Sequence, residues 1–379
     1  MRAAARTIGR RSSGLERVAK KTSRRLGAVA KLSIAGVTTF LALEVGLRIW
    51  DAAHETSPGL EAVLKNEREP IYSPHPFLSY TLRPGHGSGE VNTLGLRGPE
   101  VDRIKPSEVF RILCVGASTT YGAGVTADQA YPARLGQELA TRAPAGVRYE
   151  VLNCGVPGYT SVESLVNFEL RLLDLDPDVV LVYHGINDAR LIQGRGFRAD
   201  YTHARRSWRD PREQVTSTER WLVGHVRAWA WASALAGRGF AAMSLENLVY
   251  VDDYLDVLVP PESELNRPGI SAFLRNLRNI VAVARANGVE PCLMTFATRK
   301  AQNDRTALYQ PCIDALNEGI LALAAAEGVP LFDVRAAIGG QTDLFWDYVH
   351  CNARGCELQA RAIAEQALAQ GLWGLVRPR

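Results

Sequence analysis

From Val109 onward, short uninterrupted apolar runs alternate with longer amphipathic stretches, and no other feature of the chain constrains its fold as much. The runs are RILCV at 111–115, YEVLN at 149–153, VVLVY at 179–183, PCLMTF at 291–296 and VPLF at 329–332. Each is too short and too apolar to be a surface helix, and each reads as a strand buried on both faces. Between them, helical spacing predicts helices over 129–142, 160–175, 275–286, 307–327 and from 353 to about 370. Strands and helices in strict alternation predict a three-layer α/β/α sandwich around a mostly parallel sheet of about five strands. A chain of 379 residues, 46% of them hydrophobic, holds enough apolar side chain for that core.

In an open parallel sheet, ligands bind beyond the carboxyl ends of the strands, so the residues that follow each run matter most. After the first run stand Gly116, Ala117 and Ser118. The second ends at Asn153 and is followed by Cys154 and Gly155, and the third runs into His184, Gly185, Ile186, Asn187 and Asp188. Ahead of the last helix lies WDYVHCN, with Asp347 and His350. A serine hydroxyl becomes a nucleophile when a base removes its proton. His350 is the expected base, and Asp347, three residues earlier, can hold its tautomer and stabilise the imidazolium. The backbone N–H groups of Ser118 and Gly155 and the Asn187 amide are the expected donors to an oxyanion. Glycine at 155 is expected to let the backbone approach the ligand closely. His184 also stands at a strand end; its expected role is to line the pocket or to bond a backbone carbonyl. Taken singly, these are ordinary turn and cap residues. Their order and spacing together point to acyl transfer.

In that arrangement the chain resembles the SGNH hydrolases of the GDSL esterase/lipase group, over roughly residues 109–370. Gly116-Ala117-Ser118-Thr119-Thr120-Tyr121-Gly122 corresponds to the family's Gly-Asp-Ser-x-x-x-Gly. Gly155 corresponds to the second-block glycine, Gly185-Ile186-Asn187-Asp188 to Gly-x-Asn-Asp, and Asp347-Tyr348-Val349-His350 to Asp-x-x-His. The resemblance implies a flavodoxin-like fold and carboxylic ester hydrolysis. It implies Ser118 as nucleophile, His350 as base with Asp347 behind it, and an oxyanion hole from Ser118, Gly155 and Asn187. It requires no metal and no organic cofactor. Ala117 departs from the family's aspartate, which is not a triad residue; its loss removes a polar contact beside the nucleophile. An acyltransferase of the same fold, or a non-catalytic carbohydrate-binding protein, would share much of this pattern. The upstream segment NTLGLRGPE, 92–100, resembles bacterial relatives that carry an anchored N-terminal extension.

The amino-terminal end has a different character. The first 31 residues hold ten Lys or Arg against the single acid Glu16, a net +9, while the whole chain carries +4, so the remainder is −5. An acidic body argues against nucleic acid as a partner, since phosphate binding needs clustered cations. The basic tail, 1–31, runs into an apolar stretch, 32–50, the pattern of a single membrane anchor with its cationic end in the cytoplasm. Glu44 and Arg48, four apart inside that stretch, can pair on one helix face. The expectation is a single-pass protein of the bacterial inner membrane, with its body on the periplasmic side and a glycan, lipid or small-molecule ester as substrate. Residues 51–108 read as extended segments and turns of a juxtamembrane extension. Residues 109–379 form the main domain, with an insert at 189–271 whose tryptophans are expected to pack a small core. Six cysteines show no metal-ligand spacing; Cys114 and Cys154 read as core residues, and Cys351 and Cys356 are near enough in sequence for a local disulfide.

Overall fold

The computed structural model describes residues 2–54, 61, 64, 70–87, 90–194, 196–203, 215–235, 264–300 and 305–375. The chain divides into two compact units, one formed by Met1–Glu67 with Pro211–Leu245, the other by Arg68–Asp210 with Glu246–Arg379.

In the first unit a single helix, α1, runs over Arg2–His54. Among the described residues it supplies the one stretch long and apolar enough to cross a membrane, Ala28–His54. The remaining described elements, in chain order, are β1 (Tyr72–Ser73), β2 (Thr81–Leu82), β3 (Val109–Gly116), α2 (Ser118–Tyr121), α3 (Tyr131–Ala140), β4 (Arg148–Asn153), α4 (Ser161–Asn167), β5 (Val179–Tyr183) and α5 (Ile186–Ile192). There follow α6 (Ser217–His225) and α7 (Arg227–Leu235) of the first unit, then α8 (Arg267–Ala286), β6 (Glu290–Met294), α9 (Gln310–Glu327), β7 (Leu331–Phe332), α10 (Val334–Ile338) and α11 (Ala353–Ala369).

Five strands of the second unit form one parallel sheet in the order β4-β3-β5-β6-β7. All five residues of β5 are buried, as a central strand covered on both faces requires. Packing pairs α3 with α11, and separately α8 with α4 and α9. A right-handed crossover from β3 to β4 runs opposite in sense to those from β4 to β5 and onward, which puts the two helix groups on opposite faces. The result is the three-layer sandwich that the alternating pattern predicts. Strand order reverses between β3 and β5, and in a sheet of this topology the crevice at that switch point is where a ligand binds.

Some boundaries differ from the sequence expectation. Helix α8 starts at Arg267, because Asn266 caps it by accepting the Gly269 N–H and a proline occupies its first turn. The stretch 160–175 is α-helical only to Asn167 and then passes into one π turn and one 3₁₀ turn. The extension contains an antiparallel pair, β1 with β2, in which Tyr72 lies opposite Leu82. Residues 204–214 of the insert, which include the basic stretch HARRSW except its His203, lie outside the described residues. The insert tryptophans do not all pack inward: Trp221 and Trp229 are exposed. All six cysteines are buried free thiols, so Cys351 and Cys356 form no bridge.

Candidate active site

β3 ends at Gly116, and the chain turns at once into the four-residue helix α2, whose first residue is Ser118. The turn is tight because a side chain at 116 would meet the Thr120 hydroxyl at 2.1 Å and the Tyr183 carbonyl at 2.6 Å. Thr120 and Tyr121 both donate their N–H to the Ala117 carbonyl, and the helix closes on Gly122 at φ 84°. Ser118 stands half-buried at the open end of that turn, at the carboxyl edge of the sheet.

The segment 345–352 supplies the facing groups. Asp347 Oδ1 accepts the Val349 and His350 N–H groups at 2.8 and 2.7 Å, which folds the carboxylate back on its own turn. Its other oxygen, Oδ2, lies 2.6 Å from His350 Nδ1, and His350 Nε2 lies 2.8 Å from Ser118 Oγ. An ionised carboxylate only accepts, so Nδ1 carries the ring proton and the Nε2 lone pair faces the serine hydroxyl. Burial pushes the Asp347 carboxyl up, but the imidazole and the two N–H groups outweigh it and hold it below the usual carboxylate range. The carboxylate therefore stays charged behind the ring. An imidazole thus oriented can take the serine proton as Oγ attacks a carbonyl carbon. Asn352 ends the segment by capping α11 through the Gly355 N–H.

Of the expected oxyanion donors, Ser118 and Gly155 lie at this turn. The Ser118 amide opens α2. Asn187, at the start of α5, donates one amide hydrogen to the Tyr159 carbonyl at 3.0 Å; a primary amide carries a second. The Gly155 N–H donates to Asn153 Oδ1 at 3.0 Å. Glycine at 155 answers a different need from the one expected: a Cβ there would lie 2.3 Å from the Tyr121 nitrogen and 2.8 Å from the Thr120 carbonyl carbon. The close approach is to the turn that carries Ser118.

His184 is not brought to Ser118. It is buried, with Nε2 2.7 Å from Ser164 Oγ, a side-chain hydroxyl in place of the expected backbone carbonyl. Its Nδ1 is 3.6 Å from Asp188 Oδ2. Burial pushes the His184 pKa down to about 3, so the contact is between a neutral ring and a carboxyl group and is no ion pair. Asp188 accepts from the N–H and hydroxyl of Ser161 and from the Tyr201 hydroxyl, which ties α5 to α4 behind the site.

Three residues that complete the site have no role assigned from the sequence, although Asn153 stands among the strand-end residues. Arg97, from the NTLGLRGPE segment, is buried, and its guanidinium donates to the carbonyls of Tyr121, Gly122 and Val125 at 2.6, 2.7 and 2.7 Å. It also pairs with Glu90 at 2.9 Å and lies 4.0 Å over the Tyr121 ring. Asn153 binds the same Tyr121 carbonyl at 3.1 Å while its Oδ1 holds Gly155, so it joins the two blocks. Trp346 stacks on His350 and donates its indole N–H to the Ala123 carbonyl at 2.9 Å. The signal for Trp346 was its place beside Asp347; for Arg97, a lone arginine inside a Gly-rich motif. The Ala117 departure acquires a local reason: its methyl group packs in an apolar cluster with Ile71, Tyr72, Tyr80, Leu82, Val156 and Tyr159. Among the described residues no group of His, Cys, Asp and Glu side chains is arranged to hold a metal ion.

Residues 114–358 match the family model of the GDSL-like Lipase/Acylhydrolase family. No curated protein matches the chain by sequence. Solved structures similar to it include a lipase/acylhydrolase from Enterococcus faecalis, 17% identical, covering 71% of this chain and 98% of that one at a TM-score of 0.44. An acetylxylan esterase from Geobacillus stearothermophilus is 17% identical and covers 73% of this chain and 100% of its own, also at 0.44. A GDSL-like lipase from Bacteroides thetaiotaomicron is 16% identical and covers 69% and 89%, at 0.39.

Proposed function

This chain belongs to the GDSL-like lipase/acylhydrolase family and is a carboxylic ester hydrolase, and from that premise we propose that it cleaves O-acyl esters of cell-envelope carbohydrate or lipid through an acyl-serine intermediate. Ser118 is the nucleophile, His350 the general base and Asp347 the partner that orients it. The observation that supports this reading most directly is the unbroken relay from Asp347 Oδ2 through the imidazole to Ser118 Oγ, with contacts of 2.6 and 2.8 Å.

In the first step the Ser118 proton passes to His350 Nε2 while Oγ bonds to the ester carbonyl carbon. The carbonyl oxygen becomes an oxyanion, which the Ser118 N–H, the free hydrogen of the Asn187 amide and the Gly155 N–H receive. The Gly155 hydrogen reaches it by leaving Asn153 Oδ1. The intermediate collapses as Nε2 returns its proton to the leaving alkoxide, and the alcohol departs. Water, activated by the same imidazole, then releases the acid and restores the serine. Each step balances without a metal or an organic cofactor.

The apolar helix Ala28–His54 supports a membrane attachment. In this reading residues 1–31 are a cytoplasmic tail, 32–50 a single inner-membrane span, 51–108 the extension, and 109–379 a periplasmic hydrolase domain with an insert at 189–271. The excess of cations in the tail sets the orientation.

Fluorophosphonate labelling of the full chain, read by peptide mass spectrometry, tests the chemistry. An adduct on Ser118, lost in Ser118→Ala, is the expected result; an adduct elsewhere, or none on a folded protein, overturns the assignment. Rates on p-nitrophenyl esters of rising chain length then separate acetylated carbohydrate from lipid as substrate. Acyl transfer to an added sugar in place of water would replace hydrolysis with a transferase reading.

A further inference from the structure

Along residues 28–43 every position of α1 is exposed. At Glu44 the surroundings change. The Glu44 carboxylate accepts the Arg227 and Ala228 N–H groups at 2.8 and 2.9 Å, so it caps the amino end of α7. It also pairs with Arg48 at 2.7 Å, and the Arg48 guanidinium reaches on to the His225 carbonyl at 2.6 Å. Two turns further, Asp51 receives the Arg227 guanidinium and the Trp231 indole N–H, and Glu61 pairs with Arg227 from the other side. Glu44, Leu47 and Asp51 recur at helical spacing, and between 44 and 51 they are the positions withdrawn from the surface. One face of α1 is therefore joined to α7 by a polar cluster that is largely buried.

Several large side chains at the surface of the same unit have the opposite character. Trp221 of α6 is 56% exposed, and Trp229 and Leu235 of α7 are 42% and 83% exposed. On α1 at the same level, Val45, Ile49 and Trp50 stand more than half exposed. Buried charges beside large exposed apolar groups, with Arg48, Arg220 and His225 also at the surface, suit a boundary between lipid and water better than bulk water. The exposed groups begin where the apolar length of α1 ends. Residues 26–43, with Lys31 as their one charge, measure about 27 Å at ~1.5 Å per residue, close to one hydrocarbon thickness. Arg24 and Arg25 precede that length and the Glu44–Arg48 pair follows it. Tryptophan favours the boundary just beyond it, where the ring meets acyl chains and the N–H meets water.

We propose that α6 and α7 form a collar seated in the headgroup layer of a phospholipid bilayer, with Trp221, Trp229 and Leu235 as its membrane contacts and the Glu44–Arg227–Asp51 cluster fixing it to the span. This rests on the reading of α1 as a membrane span, and it places the hydrocarbon-crossing length at 26–43, so that residues 44–50 of the 32–50 segment lie at the interface and 26–31 enter the bilayer. It assigns the carboxylate inside the anchor a role: Glu44 marks the end of the hydrocarbon and caps the helix that lies beside it.

The test uses the full-length chain in phosphatidylcholine/phosphatidylglycerol vesicles. The fluorescence removed by the double substitution Trp221→Phe and Trp229→Phe is that of the two collar tryptophans. It is expected to be quenched several-fold more by phosphatidylcholine with a nitroxide near its headgroup than by aqueous iodide. A chain that fails to float with the vesicles overturns the span and the collar together. A chain that floats, with these tryptophans open to iodide and untouched by the nitroxide lipid, overturns the collar and leaves the span standing. Protection from both quenchers means that protein covers the face, and it overturns the collar as well.

Discussion

Trp346 lies face to face with His350, their ring centroids 5.3 Å apart and their planes within 15°. The indole N–H is spent on the Ala123 carbonyl, just past the helix that carries Ser118. One side chain thus spans the gap between the segment holding His350 and the segment holding Ser118, and it limits rotation of the imidazole.

Trp346→Ala should therefore lower kcat/KM on p-nitrophenyl acetate roughly 10- to 100-fold, mainly through kcat, while Trp346→Phe, which keeps the stack, retains most of the rate. Equal losses in the two variants would assign the effect to the indole hydrogen bond.

Replacing the base separates two histidines. His350→Ala is expected to abolish turnover, and Asp347→Asn to reduce kcat by about 10⁴ through the wrong ring tautomer. His184→Gln, whose site contacts Ser164 and not Ser118, should leave kcat within roughly tenfold of wild type. Steady-state kinetics with a larger loss at 184 than at 350 would reverse the assignment.

Arg97 should matter for rate and stability together. Arg97→Ala leaves three carbonyls of the loop after Ser118 without their charged donor, which is expected to cost about 2–4 kcal/mol in urea denaturation and at least tenfold in kcat. Added guanidinium at millimolar concentration should restore part of the rate, an effect that general destabilisation would not show.

Restoring the family's aspartate should do harm. Ala117→Asp puts a carboxylate among Ile71, Tyr72, Val156 and Tyr159, and a melting experiment is expected to show a loss of about 2–4 kcal/mol. A variant as stable as wild type would mean that the cluster opens to admit water.

Burial pushes the Asp188 carboxyl up from its ordinary 3.8 to about 7, against hydrogen bonds from Ser161 and Tyr201. The folded protein then keeps a proton that the unfolded chain has released. The stabilisation is complete below about 4 and is lost as pH rises through 7. Urea midpoints of wild type minus those of Asp188→Asn should fall from pH 4 to pH 8; a constant difference would show that Asp188 is ionised throughout the folded range.

The core of this molecule was readable because buried parallel strands are written as continuous apolar runs. VVLVY at 179–183 coincides with β5 residue for residue. Ser118, Gly155 and Asn187 stood out because they follow the carboxyl ends of such strands, where an open parallel sheet binds its ligands; Asp347 and His350 stood out as a carboxylate and an imidazole three residues apart, and the structure brings them to Ser118. The roles of Arg97 and Asn153 were not legible, because their partners are backbone carbonyls and amides, and any sequence supplies those. Glu44 pairs with Arg48 as its spacing predicts, but its donors from the amides of Arg227 and Ala228, 183 and 184 residues away, leave no mark in the sequence. The start of α8 was misread although Asn266 and the following proline carried the signal.

The grip of Arg97 on the loop 121–125 has a practical side. The turn that carries Ser118 depends on chain that enters the same unit ahead of β3, so the effect of trimming the amino end depends on where the cut falls. A cut near residue 70 would leave Arg97 in place; one beyond residue 97 would leave the loop after Ser118 without its guanidinium.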